Sequence, residues 1–87
     1  MSIALDSPTV PPTPRALARG IRLTAVRTGL WRVHDPSGRM IGHLESVSAP
    51  EGVRWRARRF TRSTGSLREL GDFWSADDAV DCLRLSR

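Results

Sequence analysis

The strongest constraint on the fold is a strict alternation of apolar and charged side chains over residues 53–58. Successive side chains of a β-strand point to opposite faces, so residues two positions apart share a face. The alternation therefore predicts a strand with one face towards a core and the other towards solvent. The apolar set is Val53, Trp55 and Ala57, and the charged set is Arg54, Arg56 and Arg58.

Three further segments complete two predicted β-hairpins. The first hairpin turns at Asp35-Pro36-Ser37-Gly38, where Asp caps the backbone locally, Pro fixes the first central φ and Gly closes the turn. The second turns in a loop that contains Thr64-Gly65-Ser66. Residues 20–26 alternate more weakly and fit either an additional strand or a short helix over residues 16–23. The strands are predicted over residues 30–34, 39–44, 53–60 and 67–74.

A helix is predicted after Trp74, where the apolar spacing becomes helical. Ser75 has the position of an N-cap, and Asp77 and Asp78 lie at the positive end of the helix dipole. A sheet with one apolar face needs a layer that packs on that face and buries it, and the helix supplies this layer. We therefore predict an α+β fold. Its antiparallel sheet has three or four strands in two hairpins, and a single C-terminal helix covers one face. The predicted core of the sheet is Trp31, Val33, Met40, Leu44, Trp55, Ala57, Leu70 and Phe73.

The 87 residues are enough for one small domain. Residues 1–14 hold four of the six prolines, which predicts a disordered Pro-rich tail followed by a single domain over residues 15–87. No apolar run approaches the roughly 18 residues of a membrane span, and no secretion signal is evident. Cys82 has no partner for a disulfide. These features favour a cytoplasmic protein that does not contact the membrane.

The charge is distributed unevenly along the chain. Residues 15–68 hold twelve arginines and three acids, whereas residues 69–87 hold five acids and two arginines. All 14 basic residues are Arg, a bias typical of GC-rich coding, so the net charge of +5 alone is a weak indication of nucleic-acid binding. The bias does not explain a basic sheet followed by an acidic helix. In the predicted register the face away from the core carries Arg32, His34, Arg39, His43, Arg54, Arg56 and Arg58.

Two interpretations of this basic face stay open. Guanidinium groups suit bidentate contacts with phosphate or guanine, and a β-sheet can enter the major groove of duplex DNA. Alternatively, the arginines cover a solvated face and pair across strands with Glu45, Glu69 and Asp72. Trp74 alternates away from Phe73, which leaves its ring free to stack on bases. The candidate nucleic-acid-binding residues are Arg54, Arg56, Arg58, Arg32, Arg39 and Trp74.

Residues 53–85 carry a motif that resembles two families of DNA-binding domain. The motif consists of Trp55-x-Ala57, Gly65 and Leu70-Gly71-x-Phe73-x-Ser75-Ala76-Asp77-Asp78-Ala79. It is similar to the plant ethylene-response-factor domain and to the arm-binding N-terminal domain of tyrosine recombinases. The whole chain also resembles short uncharacterised actinobacterial proteins, a likeness that implies no function.

The resemblance to the DNA-binding domains implies a three-stranded antiparallel sheet that packs on a C-terminal helix and lies in the major groove. It implies a DNA-facing position for Arg54, Arg56 and Arg58. Glu69 and Asp72 depart from the pattern, because those families place aromatic, basic or small polar residues there.

We therefore predict a small non-enzymatic protein that binds duplex DNA through its Arg-rich sheet face. The alternative is an interaction module that binds an acidic protein partner or self-associates through an edge strand. Neither a metal nor a cofactor is expected, since His34, His43 and Cys82 lack the spacing of metal ligands. Catalysis is not expected either, because the two histidines are too far apart in the predicted register for a proton relay.

Overall fold

The computed structural model describes residues 10–86. They form a five-stranded antiparallel sheet whose strands are adjacent in the order of the chain, so each joins the next through a hairpin. Two helices accompany the sheet. The elements are α1 (Pro14–Ala18), β1 (Arg22–Arg27), β2 (Leu30–His34), β3 (Met40–Ala49), β4 (Gly52–Thr61), β5 (Ser66–Phe73) and α2 (Ala76–Leu85).

The predicted α+β class, the antiparallel sheet and the C-terminal helix are confirmed. The predicted number of three or four strands is wrong, because β1 adds a fifth strand beside β2. Five of the six residues of β1 are exposed, since this strand lies at the edge of the sheet. Leu23 is the one residue of β1 that packs against the core, so the strand has little hydrophobic alternation, which is why its pattern was ambiguous. The sequence left a strand over residues 20–26 and a short helix over residues 16–23 as alternatives, whereas the structure has both a helix, α1, and a strand, β1.

The turn between β2 and β3 is confirmed by its hydrogen bonds. The amide of Gly38 donates to the carbonyl of Asp35 at 2.9 Å. The Asp35 carboxylate oxygen Oδ1 accepts from the amides of Ser37 at 2.9 Å and Arg39 at 3.0 Å. The hydroxyl of Ser37 also donates to this oxygen and is the main reason that the pKa of Asp35 is lowered. Asp35 is thus committed to holding the turn.

The core lies between α2 and one face of the sheet. Its buried residues include four from α2 and three from the strands, namely Ala76, Ala79, Val80, Leu83, Val33, Leu44 and Ala57. Of the other predicted core residues, Trp31 is buried and stacks at a tilt on Trp55, with 5.9 Å between ring centroids. Trp55, Leu70 and Phe73 are partly buried against the cluster. Met40 is outside this cluster and lines a cavity described below.

The start of α2 holds α1 in place. Ser75 is the N-cap, as predicted, and its side chain accepts from the amide of Asp78 at 3.0 Å. The Asp77 carboxylate accepts from the amides of Arg15 and Ala16, each at 3.3 Å. Arg15 pairs with Asp78 at 2.6 Å, and this hydrogen bond is the main reason that the pKa of Asp78 is lowered.

These contacts draw α1 towards the core, where Ala16 is buried. Residues 1–9 of the predicted tail lie outside the described residues. Residues 10–13, which lead into α1, include the buried Thr13.

Gly42 is the point of closest approach between β3, β4 and α2. A Cβ atom at this position would overlap the carbonyl oxygen of Arg58 and lie 2.6 Å from Leu83 Cδ2. The backbone oxygen belongs to the neighbouring strand and cannot move without disrupting the sheet. Any side chain at residue 42 would therefore push α2 and β4 away from β3.

We predict that Gly42→Ala destabilises the domain by about 3 kcal/mol, since overpacking against backbone in a close-packed core carries a cost of this order. Chemical denaturation followed by circular dichroism measures the loss. Ser48→Ala is the matched control, because Ser48 is exposed on the same strand and its change should stay within about 0.5 kcal/mol. Equal stability of the two variants would contradict the proposed close packing at Gly42.

Candidate functional site

The sheet face opposite α2, called the open face below, carries most of the basic residues that the sequence singles out. Partners in a β-ladder share a face, so the register assigns each residue to one side of the sheet. The core residues Val33, Leu44 and Ala57 occupy one side, and the residues adjacent to them in sequence occupy the other. The arginines of the open face are Arg22, Arg27, Arg32, Arg54, Arg56 and Arg58. Its carboxylates are Glu45, Glu69 and Asp72.

One row of side chains crosses the open face from edge to edge. The register aligns one residue from each of the five strands, in the order Thr24, Arg32, His43, Arg58 and Glu69. His43 therefore has an arginine on each side. Its partial burial, and then the charges of Arg32 and Arg58, lower the pKa of the imidazole. The lowered pKa favours the neutral imidazole, so the positive charge of this row comes mainly from the two arginines.

Cross-strand ion pairs hold two of the central arginines. The Arg56 guanidinium donates to Asp72 through Nε at 2.8 Å and Nη2 at 3.2 Å, which is a bidentate pair. This pair is the main reason that the pKa of Asp72 is lowered and that of Arg56 is raised. Arg58 Nη1 lies 2.8 Å from Glu45 Oε1. The pairing with carboxylates that belongs to the second interpretation of this face is thus present at Arg56 and Arg58.

A second group of arginines leaves its positive charge less compensated. Arg22 and Arg32 are exposed and make no ion pair with any other residue of the described chain. The guanidinium of Arg54 lies over the Trp74 ring, 4.1 Å from the centroid, and its nearest carboxylate is 3.8 Å away on Glu51. The stack presents a cation and an aromatic surface together, since Trp74 is 59% exposed.

Five of the six candidate residues are brought together by this arrangement. Arg32, Arg54, Arg56 and Arg58 lie on the open face, and Trp74 lies beside Arg54. Arg39 is placed elsewhere: it precedes β3, in the turn, and lines a cavity near the end of α2. The reason is a shift in the β2–β3 register between Val33 and His34, which the sequence pattern did not reveal.

Two arginines of the open face were missed by the sequence argument. Arg22 and Arg27 belong to β1, the edge strand whose alternation was too weak to predict it. Arg27 lies 3.3 Å from Glu45, so it joins the Arg58 pair on this face. The sequence signal that could have placed Arg22 on this face is its spacing from Thr24. The two polar residues lie two positions apart, on either side of the apolar Leu23.

The described residues contain no group of three or more His, Cys, Asp and Glu side chains that could hold a metal ion. Neither helix in residues 10–86 has the length and apolar character needed to cross a bilayer. No protein-family model matches the chain, and comparisons with curated protein sequences and with solved structures find no match either. The likeness of residues 53–85 to sheet-based DNA-binding domains therefore stays a prediction.

We predict that His43→Gln removes a source of acid sensitivity. The pKa of His43 is lower in the folded chain than the value near 6.5 of an unfolded one, so the unfolded chain binds more protons below neutrality. Stability should therefore fall as the pH drops from about 7.5 to about 5.5, and this fall should be smaller in the variant. Thermal unfolding at several pH values measures it.

The exposed substitution Ser48→Ala controls for the general effect of pH on the fold and should retain the wild-type slope of Tm against pH. A His43→Gln variant with that same slope would show that His43 is not held in its neutral form by the open face.

Proposed function

We propose that this protein is a small, non-enzymatic DNA-binding protein whose open face docks on duplex DNA. The observation that carries the proposal is the charge of that face, where six arginines stand against three carboxylates on a sheet whose other face is closed by α2. A surface with excess arginine attracts the phosphate backbone and releases its counterions.

The β3–β4 hairpin is suited to lie in the groove. Both of its strands have ten residues, and it carries Arg54, Arg56 and Arg58 along one side. Two adjacent strands are about 4.8 Å apart, so the ribbon fits a major groove that is about 12 Å wide. Arg32 extends the contact to the neighbouring strand β2.

The ion pairs give the arginines separate roles. A guanidinium has five N–H donors, so Arg56 keeps donors for DNA while Asp72 fixes its orientation. An oriented guanidinium suits a bidentate contact with guanine, whereas the unpaired Arg22 and Arg32 suit phosphate contacts. The chain has no Asn or Gln, the residues best suited to adenine. We therefore expect any base preference to favour guanine.

A second candidate function is binding of a protein partner through the same face. The observation that favours it is the interleaving of Glu45, Glu69 and Asp72 among the arginines, because the ion pairs lower the charge that is left for phosphate. Such a partner would be acidic, or a second copy of the chain paired along the edge strand β1 or β5. In this case DNA binding would be weak and erased by salt, while a protein complex would be tight.

We place either activity in the cytoplasm, because a reducing compartment suits a chain whose one cysteine, Cys82, is unpaired. Cys82 is only partly exposed on α2, on the opposite side of the sheet from the open face. It has no part in the proposed contact.

We predict that the wild-type protein binds a labelled mixed-sequence duplex with micromolar or tighter affinity near physiological salt. The triple variant Arg54→Gln, Arg56→Gln, Arg58→Gln should bind at least about tenfold more weakly, because it loses guanidinium contacts with phosphate and with guanine. The slope of log K against log salt should fall by about one for each of the three arginines that contacts phosphate, and an arginine that contacts only guanine should leave it unchanged. Fluorescence anisotropy at several salt concentrations, with unlabelled random DNA as competitor, measures both quantities.

The matched control is Arg19→Gln, Arg39→Gln, Arg62→Gln, which removes the same charge from exposed residues outside the open face. It should keep the wild-type slope. If the two triple variants weaken DNA binding equally, net charge alone explains the binding and the open face is not its site. If the wild-type protein shows no affinity for DNA at physiological salt, the protein-partner function is favoured.

A further inference from the structure

A cavity of about 710 Å³ lies at one end of the domain, away from the open face. The β2–β3 turn, the β4–β5 loop and the C-terminal end of α2 form its walls, and the residue after α1 closes one side. Five arginines from these separate segments line it: Arg19, Arg39, Arg59, Arg62 and Arg84. We refer to it as the arginine cavity.

The charge of the arginine cavity is largely uncompensated. Asp35 is the one carboxylate among the described lining residues, and its oxygen Oδ1 is occupied by the turn amides of Ser37 and Arg39. Arg19, Arg39 and Arg62 make no ion pair and no side-chain hydrogen bond within residues 10–86. A concave site lined by one sign of charge focuses its field and attracts a counterion.

The remaining two arginines are tied to the end of α2. Arg59 donates to the carbonyl of Ser86, the C-cap residue, and so covers the negative end of the helix dipole. Arg84 lies 3.8 Å from Asp81, at the limit of an ion pair. The helix end therefore accounts for Arg59, but it leaves the charge of Arg19, Arg39 and Arg62 without a structural partner.

Arg59 also occupies an unusual position in its strand. It pairs with Gly42 on the helix side of the sheet, where Trp55 and Ala57 belong to the core. An arginine on this side interrupts the apolar set at the rim of the cavity. Leu83 from α2 lines the same cavity, so the cavity combines guanidinium groups with apolar surface.

The combination defines the chemistry of a ligand. Several convergent arginines suit an anion with more than one phosphate group, because each guanidinium offers a planar fork to phosphate oxygens. The apolar wall, made of Met40, Ile41, Phe60 and Leu83, suits an organic part larger than phosphate itself. The volume lies within the range of about 300–1,000 Å³ that small-molecule sites occupy.

We propose that the arginine cavity binds a small organic polyphosphate of the nucleoside triphosphate class. Arg19, Arg39 and Arg62 hold the phosphates, and Phe60 and Leu83 contact the apolar part. The site is separate from the proposed DNA contact, because its five arginines lie at the end of the domain and none of them belongs to the open face. The proposal for the arginine cavity therefore does not depend on DNA binding by the open face.

Isothermal titration calorimetry of the full chain with ATP tests the proposal. We expect saturable binding in the micromolar range, and a loss of at least about tenfold in the double variant Arg39→Gln, Arg62→Gln. The matched control is Arg32→Gln, Arg54→Gln, which removes the same charge from the open face and should keep the wild-type affinity. Thermal unfolding of both variants verifies that they are folded.

Further titrations identify which part of the ligand the cavity recognises. Inorganic pyrophosphate should bind more weakly than ATP. The variant Phe60→Ala should have a lower affinity for ATP and an unchanged affinity for pyrophosphate. A saturating duplex should not displace ATP. The proposal is overturned by an absence of ATP binding, by equal loss in the two double variants, by equal affinity for ATP and pyrophosphate, or by displacement of ATP by the duplex.

Discussion

The packing of α2 on one face of the sheet is the constraint on which the rest of the structure depends. The helix approaches the strands where Gly42 leaves room for Leu83, and the small buried residues Ala57, Ala76 and Ala79 let the helix lie close. A helix of ten residues can cover one face of a five-stranded sheet and no more. The second face is consequently left to polar and charged side chains.

The open face then follows from the period of a β-strand. The same alternation that directs Trp55 and Ala57 to the core directs Arg54, Arg56 and Arg58 to the other side. The carboxylates of neighbouring strands meet these arginines through the register and fix two of them. The result is a surface that is basic overall but ordered by ion pairs, which combines attraction for phosphate with defined positions of the guanidinium groups.

The sequence was sufficient for features that arise from local chemistry. The Asp35 turn, the Ser75 cap and the alternating strand around Trp55 each depend on a few neighbouring residues, and each is found in the structure as predicted. Features that depend on tertiary contact were left undecided. The edge strand β1 has only Leu23 packed against the core, and α1 is anchored by Asp77 and Asp78, which lie some sixty residues further along the chain.

The candidate site shows the same division. The arginines of β2 and β4 were predicted on one face, because the alternation of side chains along a strand is a local property. Arg39 was expected beside them, but the register shift after Val33 moves it to the arginine cavity. The cavity itself was not foreseen, since its arginines come from four separate segments that only the fold brings together.

The most direct test of the account is a two-dimensional NMR titration of the labelled protein with a short duplex, which locates the contact residue by residue. The account predicts that the largest amide shifts fall in β2, β3 and β4, with the Trp74 indole among them, while α2 stays unperturbed. Shifts confined to α2 or to the turns around the arginine cavity would contradict the assignment of the open face as the DNA-binding surface.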